Sequence, residues 1–589
     1  MKSIKEVLKK VAYILDSKER KQLVPIAVMT IVGSVFELLG VTVFMPFINV
    51  IMDPGKSING NEYLKWAYTR FDFSSYRAFL IAMALAIILV YIVKNVFLVW
   101  QKKVTYNYSF KIQQKLATKL LNAYMQEPYS FYLKKNIAEL QRCLEEDVAN
   151  FSSFIMQSLE MFIELFVCIM LTIYLFMVSK TICIVVAGLM VLCVLLFIKL
   201  SKQTSMGLGK ECQTYKGKIY QWINQALGGI KEVKILGHED FFVDSFTDYY
   251  DRYSHALCVL RLLSMIPKYI VEAVCMTGLL LAIVFKLMWG EADMIYYVPQ
   301  LTVFAVAAFR MMPSVGRING YMTTIISTIP SVDLVYHDIK EVEHYKEECG
   351  SEKISDWKFE DKIDVKNVSF HYPDSDRNVL SNISLQIPKG KMIAFIGASG
   401  AGKTTMVDII LGLLKPAEGM VTADGMDVHQ NPVKWHKEIG YIPQTIYLAD
   451  ESIRENVAFG VKPEEIDDKA VMRAIDQAQL REYISELPDG INSYVGDRGV
   501  RISGGQRQRI GIARALYHNP EILVLDEATA ALDTETETAV MESIDRLQGI
   551  KTMIIIAHRL TTIRNADVIY EVENGAVIRR SKEEVFGSK

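Results

Sequence analysis

Long apolar runs dominate the chain before about residue 335, and mixed patterns typical of a water-soluble domain dominate after about residue 358. A helix that crosses a bilayer needs about 20 predominantly apolar residues. Windows that meet this requirement predict six membrane-spanning helices, at 23–52, 78–101, 153–178, 181–200, 259–289 and 294–328. The first, fifth and sixth windows exceed a single crossing, so these helices are expected to tilt or to extend into water.

Two long polar links, 102–152 and 201–258, follow the second and fourth windows and have a helical pattern. The lysine-rich N-terminus and the lysines that open the first link place both links and both termini in the cytoplasm. Helix breaks at Glu127-Pro128 and Gly228-Gly229 predict short transverse helices inside the links, around 128–136 and 221–232, with ordinary turns as the alternative.

The outer loop, 53–76, is rich in aromatic residues. Leu64, Tyr68 and Phe71 share one helical face there. This pattern suits a helix in the membrane interface, and an aromatic belt accounts for it equally well.

The soluble half contains a glycine-rich loop between an apolar strand and a helix. The strand, 392–396, is followed by GASGAGKTT, which fits the spacing GxxxxGK[ST]. Glycines allow backbone N–H groups to surround phosphates, and the helix N-terminus adds positive potential. Lys403 is expected to reach the β- and γ-phosphates, and the Thr404 hydroxyl to bind Mg²⁺. The residues predicted to bind the nucleotide here are Gly397, Ser399, Gly400, Gly402, Lys403, Thr404 and Thr405.

A second apolar strand, 522–525, ends in Asp526-Glu527. Two adjacent carboxylates at a strand end can divide the work of phosphoryl transfer. Asp526 is predicted to hold Mg²⁺ through water, and Glu527 to polarise the attacking water.

Charge and cysteine content narrow the class of protein. The 589 residues include 65 Lys and Arg against 67 Asp and Glu, and this balance gives no support to a nucleic-acid partner. None of the eight cysteines forms a CxxC pair, so neither a disulfide framework nor a zinc site is predicted.

Between the two phosphate-site motifs lies a Ser-Gly-Gly-Gln run that opens a helix, a second anion-binding arrangement. With this run the chain resembles the ATP-binding-cassette transporter family over essentially its whole length. The resemblance implies that the run is the family's signature sequence and contacts ATP through Ser503, Gly504, Gly505 and Gln506. The chain departs from the usual pattern in having Ile502 for leucine and Ala530 for serine.

The same resemblance assigns roles to four further residues. Tyr372 resembles the aromatic that stacks on adenine, and Gln444 the glutamine that contacts metal and water. Asp533 resembles the residue of the loop that crosses the dimer, and His558 the histidine that senses the γ-phosphate. The predicted catalytic residues are therefore Glu527, His558 and Gln444, the metal ligands are Thr404, Gln444 and Asp526, and the cofactors are ATP and Mg²⁺.

The fold predicted by the resemblance is a membrane α-helical bundle of exporter type with six transmembrane helices per chain, joined to a cytoplasmic α/β P-loop ATPase domain. The predicted boundaries are 1–335 for the transmembrane domain, 336–358 for a linker and 359–589 for the cassette. Two cassettes of this family close head-to-tail on two ATP molecules. A chain with one cassette is therefore expected to be half a transporter, and its complete motif set favours a homodimer.

Four basic residues inside the predicted spans are candidates for binding cargo: Lys94, Lys268, Arg310 and Arg317. Charges inside a membrane are unfavourable and are commonly functional. The first three fall at a common depth in the inner half of the bilayer, counted at about 1.5 Å per residue. An anionic head group such as a pyrophosphate would suit them. Two alternatives are snorkelling to lipid head groups and pairing with Glu37 or Glu272.

The sequences ELLGVTVFMPF, 37–47, and FRMMPSVGRIN, 309–319, resemble those of bacterial lipid-linked-oligosaccharide flippases of the protein-glycosylation type. This resemblance implies that the cargo is an anionic undecaprenyl-pyrophosphate glycan, moved from the inner to the outer leaflet of the bacterial inner membrane. The alternative is an ATP-driven exporter of drugs, other lipids or peptides. A nucleotide-gated channel or regulator is less favoured, because both Glu527 and His558 are present.

Overall fold

The computed structural model describes residues 4–587 except 74, 179, 290–293, 349–356, 373–374, 376, 497–501, 528–533 and 558. Within the described helices the side chains are outside the described set at 4, 41, 44–45, 175, 178, 180–187, 189–194, 198, 275, 278–279, 281–283, 285–289, 294–312, 342–348, 534–536 and 560–561. The chain divides into two compact units. The first comprises Met1–Glu127 and Lys134–Tyr345, and the second comprises Pro128–Leu133 and Lys346–Lys589.

The first unit is helical throughout its described part. Its helices α2, α6 and α9 pack against one another, and α10 packs along α12. The helices before residue 349 are α1 (Ile4–Ile14), α2 (Ser17–Thr42), α3 (Phe44–Met52), α4 (Pro54–Gly60), α5 (Glu62–Arg70), α6 (Tyr76–Gln126), α7 (Tyr129–Lys134), α8 (Ile137–Arg142), a π-helical turn (Cys143–Asp147), α9 (Val148–Val178), α10 (Lys180–Gly228), α11 (Ile230–Leu236), α12 (Glu239–Trp289) and α13 (Met294–Glu348).

Three helical stretches in the part of the chain that the structure describes are long and apolar enough to cross a membrane: Ser17–Gly40, Tyr76–Gln126 and Ile137–Tyr174. Only 11% of the apolar window on α6 is buried inside the protein, as expected where lipid covers the rest. The three later predicted spans lie on α10, α12 and α13, and part of the apolar stretch of each helix is outside the described side chains. Those three spans stay predictions.

The long helices extend well beyond one bilayer. The 51 residues of α6 correspond to about 75 Å, against about 30 Å of hydrocarbon. As predicted, α6 ends at Gln126 and a short helix, α7, follows Pro128. The prediction for the second link was wrong in extent. Residues 221–228 continue α10, and the short helix begins after the glycine pair, as α11.

The outer loop forms two short helices, α4 and α5. Leu64 and Tyr68 of α5 pack on a small apolar cluster of Val50, Ile58 and Phe79. Phe71 follows the C-terminus of α5 and is 67% exposed, so it does not share the packed face.

The second unit contains two sheets. The first is antiparallel with strand order β2-β1-β4-β5, and the second has the order β10-β9-β3-β8-β7-β6, in which only β10 is antiparallel. The strands are β1 (Lys362–Phe370), β2 (Leu380–Pro388), β3 (Met392–Ile396), β4 (Glu418–Ala423), β5 (Met426–Asp427), β6 (Ile439–Ile442), β7 (Ile522–Asp526), β8 (Thr552–Ile556), β9 (Val568–Glu573) and β10 (Ala576–Arg580).

Helices cover the parallel sheet, so its central strands are buried. Every residue of β7 and β8 is buried, which explains why both strands are continuous apolar runs in the sequence. The helices of this unit are α14 (Lys403–Ile410), α15 (Pro432–Lys437), α16 (Ile453–Val457), α17 (Asp468–Gln477), α18 (Arg481–Ser485), α19 (Gly504–Tyr517), α20 (Thr534–Asp545) and α21 (Lys582–Phe586), with 3₁₀ turns at Pro463–Glu465, Gly490–Asn492 and Leu560–Ile563. Since β3, β7 and β6 are parallel, the loops after their carboxyl ends lie on one edge of the sheet.

Candidate functional site

The glycine-rich loop leaves β3 and enters α14 in a conformation that requires glycine. Gly397, Gly400 and Gly402 have φ angles of 144°, 79° and 104°. A Cβ atom on Gly397 would lie 2.3 Å from the carbonyl oxygen of Val572, so any side chain there would collide with backbone. The loop is therefore held close to β9, with the N-terminus of α14 at its end.

The Lys403 side chain folds across this loop. Its Nζ donates hydrogen bonds of 3.0 Å to the carbonyl oxygen of Gly397 and 2.9 Å to that of Ala398. Burial lowers the pKa of Lys403, while the charges of Glu527 and Asp526 act in the opposite direction. The ammonium group therefore lies within electrostatic reach of Glu527, the predicted catalytic carboxylate, and of Asp526, the predicted metal ligand.

The two carboxylates at the end of β7 have different surroundings. Asp526 is buried, and the Tyr441 hydroxyl lies 3.5 Å from its Oδ2. Glu527 has a φ of 50°, in the left-handed region that non-glycine residues rarely adopt. Its N–H donates to the carbonyl oxygen of Ile556, and its Oε2 accepts a 2.8 Å hydrogen bond from Nε2 of Gln444. The unusual backbone of Glu527 is thus held by β8 and its carboxylate by Gln444, and such strained residues cluster at functional sites.

The predicted metal ligands form a set of oxygen donors. Thr404 provides a hydroxyl on the first turn of α14, Asp526 a carboxylate, and Gln444 an amide oxygen on the side away from Glu527. Mg²⁺ prefers oxygen ligands and binds through one or two protein groups plus phosphate and water. These residues fit Mg²⁺ in that sense. No group of three or more His, Cys, Asp or Glu suited to a metal occurs among the described residues.

Asp408, on α14, is a half-buried acid at this site that the sequence motifs did not identify. Burial raises its pKa from the ordinary value of 3.8 to about 6, and the charge of Asp526 adds to the effect. An acid that follows the phosphate loop within a helix has no motif of its own, so only the fold reveals its proximity to Asp526.

Tyr372 makes a contact that the sequence did not predict. Its hydroxyl lies 3.0 Å from Oγ1 of Thr405, in the first turn of α14. Its ring packs on Phe370 with centroids 5.2 Å apart. The predicted adenine-stacking ring is therefore tied directly to the phosphate-binding helix.

The predicted signature sequence begins α19 with a capping box. The Ser503 side chain accepts a hydrogen bond from the Gln506 N–H, and the Gln506 side chain accepts one from the Ser503 N–H. These bonds leave the N–H groups of Gly504 and Gly505 at the helix N-terminus for an anion. Asp533 and His558 lie outside the described residues.

In the first unit, which contains the predicted membrane spans and is called the membrane unit below, two of the predicted cargo-binding cations have partners. Lys94 is buried, and its Nζ lies 3.0 Å from Oε2 of Glu37. Arg317 binds Glu164 with two hydrogen bonds, of 2.7 Å and 3.0 Å. Glu37 also interacts electrostatically with Arg317, so both pairs belong to one neighbourhood.

Lys268 is exposed and belongs to the same neighbourhood. A Cβ on Gly316 would lie 3.1 Å from the Cβ of Lys268, which places the lysine stem beside the residue before Arg317. The described residues give Lys268 no carboxylate partner, and Glu272 is also exposed. The side chain of Arg310 is outside the described set. Pairing with Glu37 is thus confirmed for Lys94, and the two pairs weaken the prediction that all four cations are available to cargo.

Two family models match the chain. One, described as ABC transporter, matches residues 380–530, which contain the phosphate loop and the Asp526-Glu527 pair. The other, described as ABC transporter transmembrane region, matches residues 23–312. The fold and the site define a P-loop ATPase cassette joined to a helical membrane region. The chain belongs to the ABC transporter family and has the organisation of an exporter-type half-transporter.

Curated relatives of the chain carry different names. An ATP-dependent lipid A-core flippase of Methylobacillus flagellatus is 33% identical over 64% of this chain and 63% of its own length. The heterocyst differentiation ATP-binding protein HepA of Nostoc sp. is 34% identical over 64% of this chain and 60% of its own length. The chain thus spans less than two thirds of either relative.

A solved structure supports the fold along the whole chain. A bacterial Atm1-family ABC exporter with ATP bound superposes with a TM-score of 0.75 and covers 97% of both chains, at 20% identity. At that identity the likeness concerns the fold alone.

Proposed function

We propose that this chain is one half of an ATP-driven membrane translocase that hydrolyses ATP with Mg²⁺. The observation that carries this proposal is the 2.8 Å hydrogen bond from Gln444 to Glu527, at the edge of the sheet where Lys403 and Asp526 also lie. A carboxylate oriented by a neighbouring amide, within electrostatic reach of the phosphate-loop lysine, suits the positioning of water for attack on a γ-phosphate.

Each residue of the cassette has a role in this proposal. Lys403 and the loop N–H groups bind the phosphates, and Tyr372 holds the base. Glu527 orients the attacking water, and His558 contacts the γ-phosphate. Mg²⁺ neutralises phosphate charge when it is held by Thr404, Asp526 and Gln444.

The active unit in this proposal is a homodimer with two composite sites. The phosphate loop of one protomer faces Ser503–Gln506 of its partner across ATP, and Asp533 lies in the loop that crosses between them. The N-terminus of α19 supports this arrangement, because the N–H groups of Gly504 and Gly505 are suited to a γ-phosphate supplied from outside the protomer.

For cargo we propose a lipid-linked oligosaccharide, moved from the inner to the outer leaflet of a bacterial inner membrane with the cassette in the cytoplasm. Basic side chains within the spans suit a pyrophosphate, and a relative is named as an ATP-dependent lipid A-core flippase. The candidate contacts are Lys94, Lys268, Arg310 and Arg317, of which Lys94 is paired with Glu37.

A flipping assay in proteoliposomes tests this proposal. Labelled undecaprenyl-pyrophosphate glycan is supplied below saturation, and ATP-dependent translocation is measured per inserted molecule. Arg310→Gln with Arg317→Gln is expected to reduce flipping tenfold or more while basal ATPase persists, since a charge-assisted contact contributes about 1.5–3 kcal/mol. ATPase stimulation by drugs or peptides but not by the glycolipid would instead identify a generic exporter.

A further inference from the structure

Arg317 on α13 and Glu164 on α9 form a two-pronged ion pair inside the membrane unit. Nε of Arg317 donates to Oε1 of Glu164 at 2.7 Å, and Nη2 donates to Oε2 at 3.0 Å. Nη2 also donates to Oγ of Ser314 at 3.1 Å. This geometry is the same fork with which arginine holds a phosphate.

The two partners differ in exposure. The Glu164 side chain is 11% exposed, whereas that of Arg317 is 38% exposed. The guanidinium has five N–H donors. Three are used by Glu164 and Ser314, and the Nη1 group has no partner among the described residues. The arginine is thus open on one side while a carboxylate occupies its strongest binding edge.

We propose that Glu164 is a specificity-determining residue that occupies the anion-binding edge of Arg317 and yields it only to a multiply charged phosphate. This inference rests on the proposed function, because it takes Arg317 as a contact for anionic cargo. A lipid phosphodiester carries a single negative charge, like the carboxylate, and gains little by exchange. A pyrophosphate carries more charge and offers more acceptor oxygens, so it displaces the carboxylate.

Selection against weakly binding anions, here called the filter, is useful to a flippase because the enzyme is surrounded by lipids. Bulk anionic lipids vastly outnumber a lipid-linked glycan in the bilayer, and an open arginine would bind them. A tethered carboxylate acts as a competing anion at high local concentration. It lowers the apparent affinity of Arg317 for every anion by the same factor, so a weakly bound anion loses most of its occupancy while a tightly bound one keeps most of it.

The chain offers a matched control on the same helix. Glu160 lies one turn before Glu164 on α9 and pairs with Lys102 of α6. Neutralising Glu160 removes a buried carboxylate of the same helix without freeing Arg317. A shared effect of both substitutions would report on helix packing rather than on the fork.

The test uses full-length protein in nanodiscs of phosphatidylcholine with increasing phosphatidylglycerol. ATPase stimulation and the thermal midpoint are measured for wild type, Glu164→Gln, Glu160→Gln and Glu164→Gln with Arg317→Gln. Phosphatidylglycerol is expected to stimulate Glu164→Gln at least threefold and to leave wild type and Glu160→Gln unchanged. Adding Arg317→Gln is expected to abolish the gain. Glu164→Asp, which keeps the charge but shortens its reach, is expected to be intermediate and serves if Glu164→Gln fails to fold.

Two results would overturn the inference: a wild type that already responds to phosphatidylglycerol, or a Glu164→Gln protein with a lowered midpoint and no response. The second result would show that the Arg317–Glu164 pair only stabilises the fold. A separate titration of wild type with undecaprenyl-pyrophosphate glycan tests the cargo. If the glycan does not stimulate wild type while phosphatidylglycerol stimulates Glu164→Gln, the glycan is rejected as cargo and the proposed role of Glu164 stands.

Discussion

The side-chain amide of Gln444 donates a 2.8 Å hydrogen bond to Oε2 of Glu527, and thereby joins the segment after β6 to the end of β7. These strands are parallel neighbours, with Ile442 paired to Leu525, so their carboxyl ends meet at one edge of the sheet. The group proposed to contact metal and the group proposed to orient water are therefore coupled directly. A displacement of the segment that carries Gln444 would move the carboxylate of Glu527.

Replacing the Glu527 carboxylate by an amide should separate ATP binding from hydrolysis. Glu527→Gln keeps the size of the side chain but loses the charge that polarises water, a contribution of about 100-fold or more. Steady-state ATPase is expected to fall by that factor with ATP binding retained, and the dimer should be trapped closed. The exposed Glu486→Gln is the control and should be unaffected. Near-normal turnover in Glu527→Gln would remove Glu527 from this role.

The Tyr372 hydroxyl should contribute to ATP affinity independently of its ring. Tyr372→Phe keeps the ring and loses the bond to Thr405, which is worth about 0.5–1.5 kcal/mol. We expect KM for ATP to rise about 2- to 10-fold with kcat little changed, and Tyr372→Ala to raise KM further because the stacking surface is also lost. Tyr570→Phe, which removes a hydroxyl bonded to the Gln386 carbonyl, is the control. Equal KM values for wild type and Tyr372→Phe would show that the hydroxyl has no part in binding.

The nucleotide-site motifs were predictable because each depends on a local pattern of residues. The spacing from Gly397 to Thr405 predicted a loop between a strand and a helix, and the structure has β3 and α14 on either side. An Asn-Gly dipeptide favours a hairpin turn, and Asn574 and Gly575 both have positive φ between β9 and β10.

Partners that are distant in sequence were not predictable in the same way. Arg317 and Glu164 are 153 residues apart, and only the packing of α9 beside α13 brings them together. The contact of Tyr372 with Thr405 depends likewise on how β1 passes α14. The sequence predicts a short helix across Gly228-Gly229, but the glycine pair instead ends the long helix α10. A glycine pair marks a break but does not tell which side continues.

The raised pKa of Asp408 predicts a pH dependence of stability. Burial raises that pKa to about 6, so the charged form is less favourable in the folded protein than in the unfolded chain. Below the ordinary pKa of 3.8, Asp408 is protonated in both states and does not reduce the stability of the folded protein. As the pH rises through about 6, the unfolded chain is favoured and the free energy of unfolding falls. Asp408→Asn is thus expected to stabilise the cassette above pH 6 by about 1–2 kcal/mol, after allowance for solvent screening.

The measurement for Asp408 is the thermal midpoint of the full-length chain in detergent between pH 4 and pH 8. The advantage of Asp408→Asn over wild type should grow through this range and vanish near pH 4. Asp450→Asn changes an exposed carboxylate and should show no such trend. A constant difference at every pH would mean that the substitution acts through packing.

Lesions at Lys403 and Ser503 should complement each other in a mixed dimer if the ATP sites are composite. Lys403→Ala removes the phosphate-loop cation, and Ser503→Arg disrupts the capping box that begins α19. Either homodimer carries two defective sites. In a heterodimer of the two variants, both lesions fall in one site and the other site is intact. Purified through two different affinity tags, this heterodimer is expected to recover up to about half of wild-type ATPase.

A heterodimer with both lesions on the same protomer and a wild-type partner has one lesion in each site and is the control. Equal recovery in the two arrangements would contradict a shared site, because only the first arrangement leaves one site without a lesion.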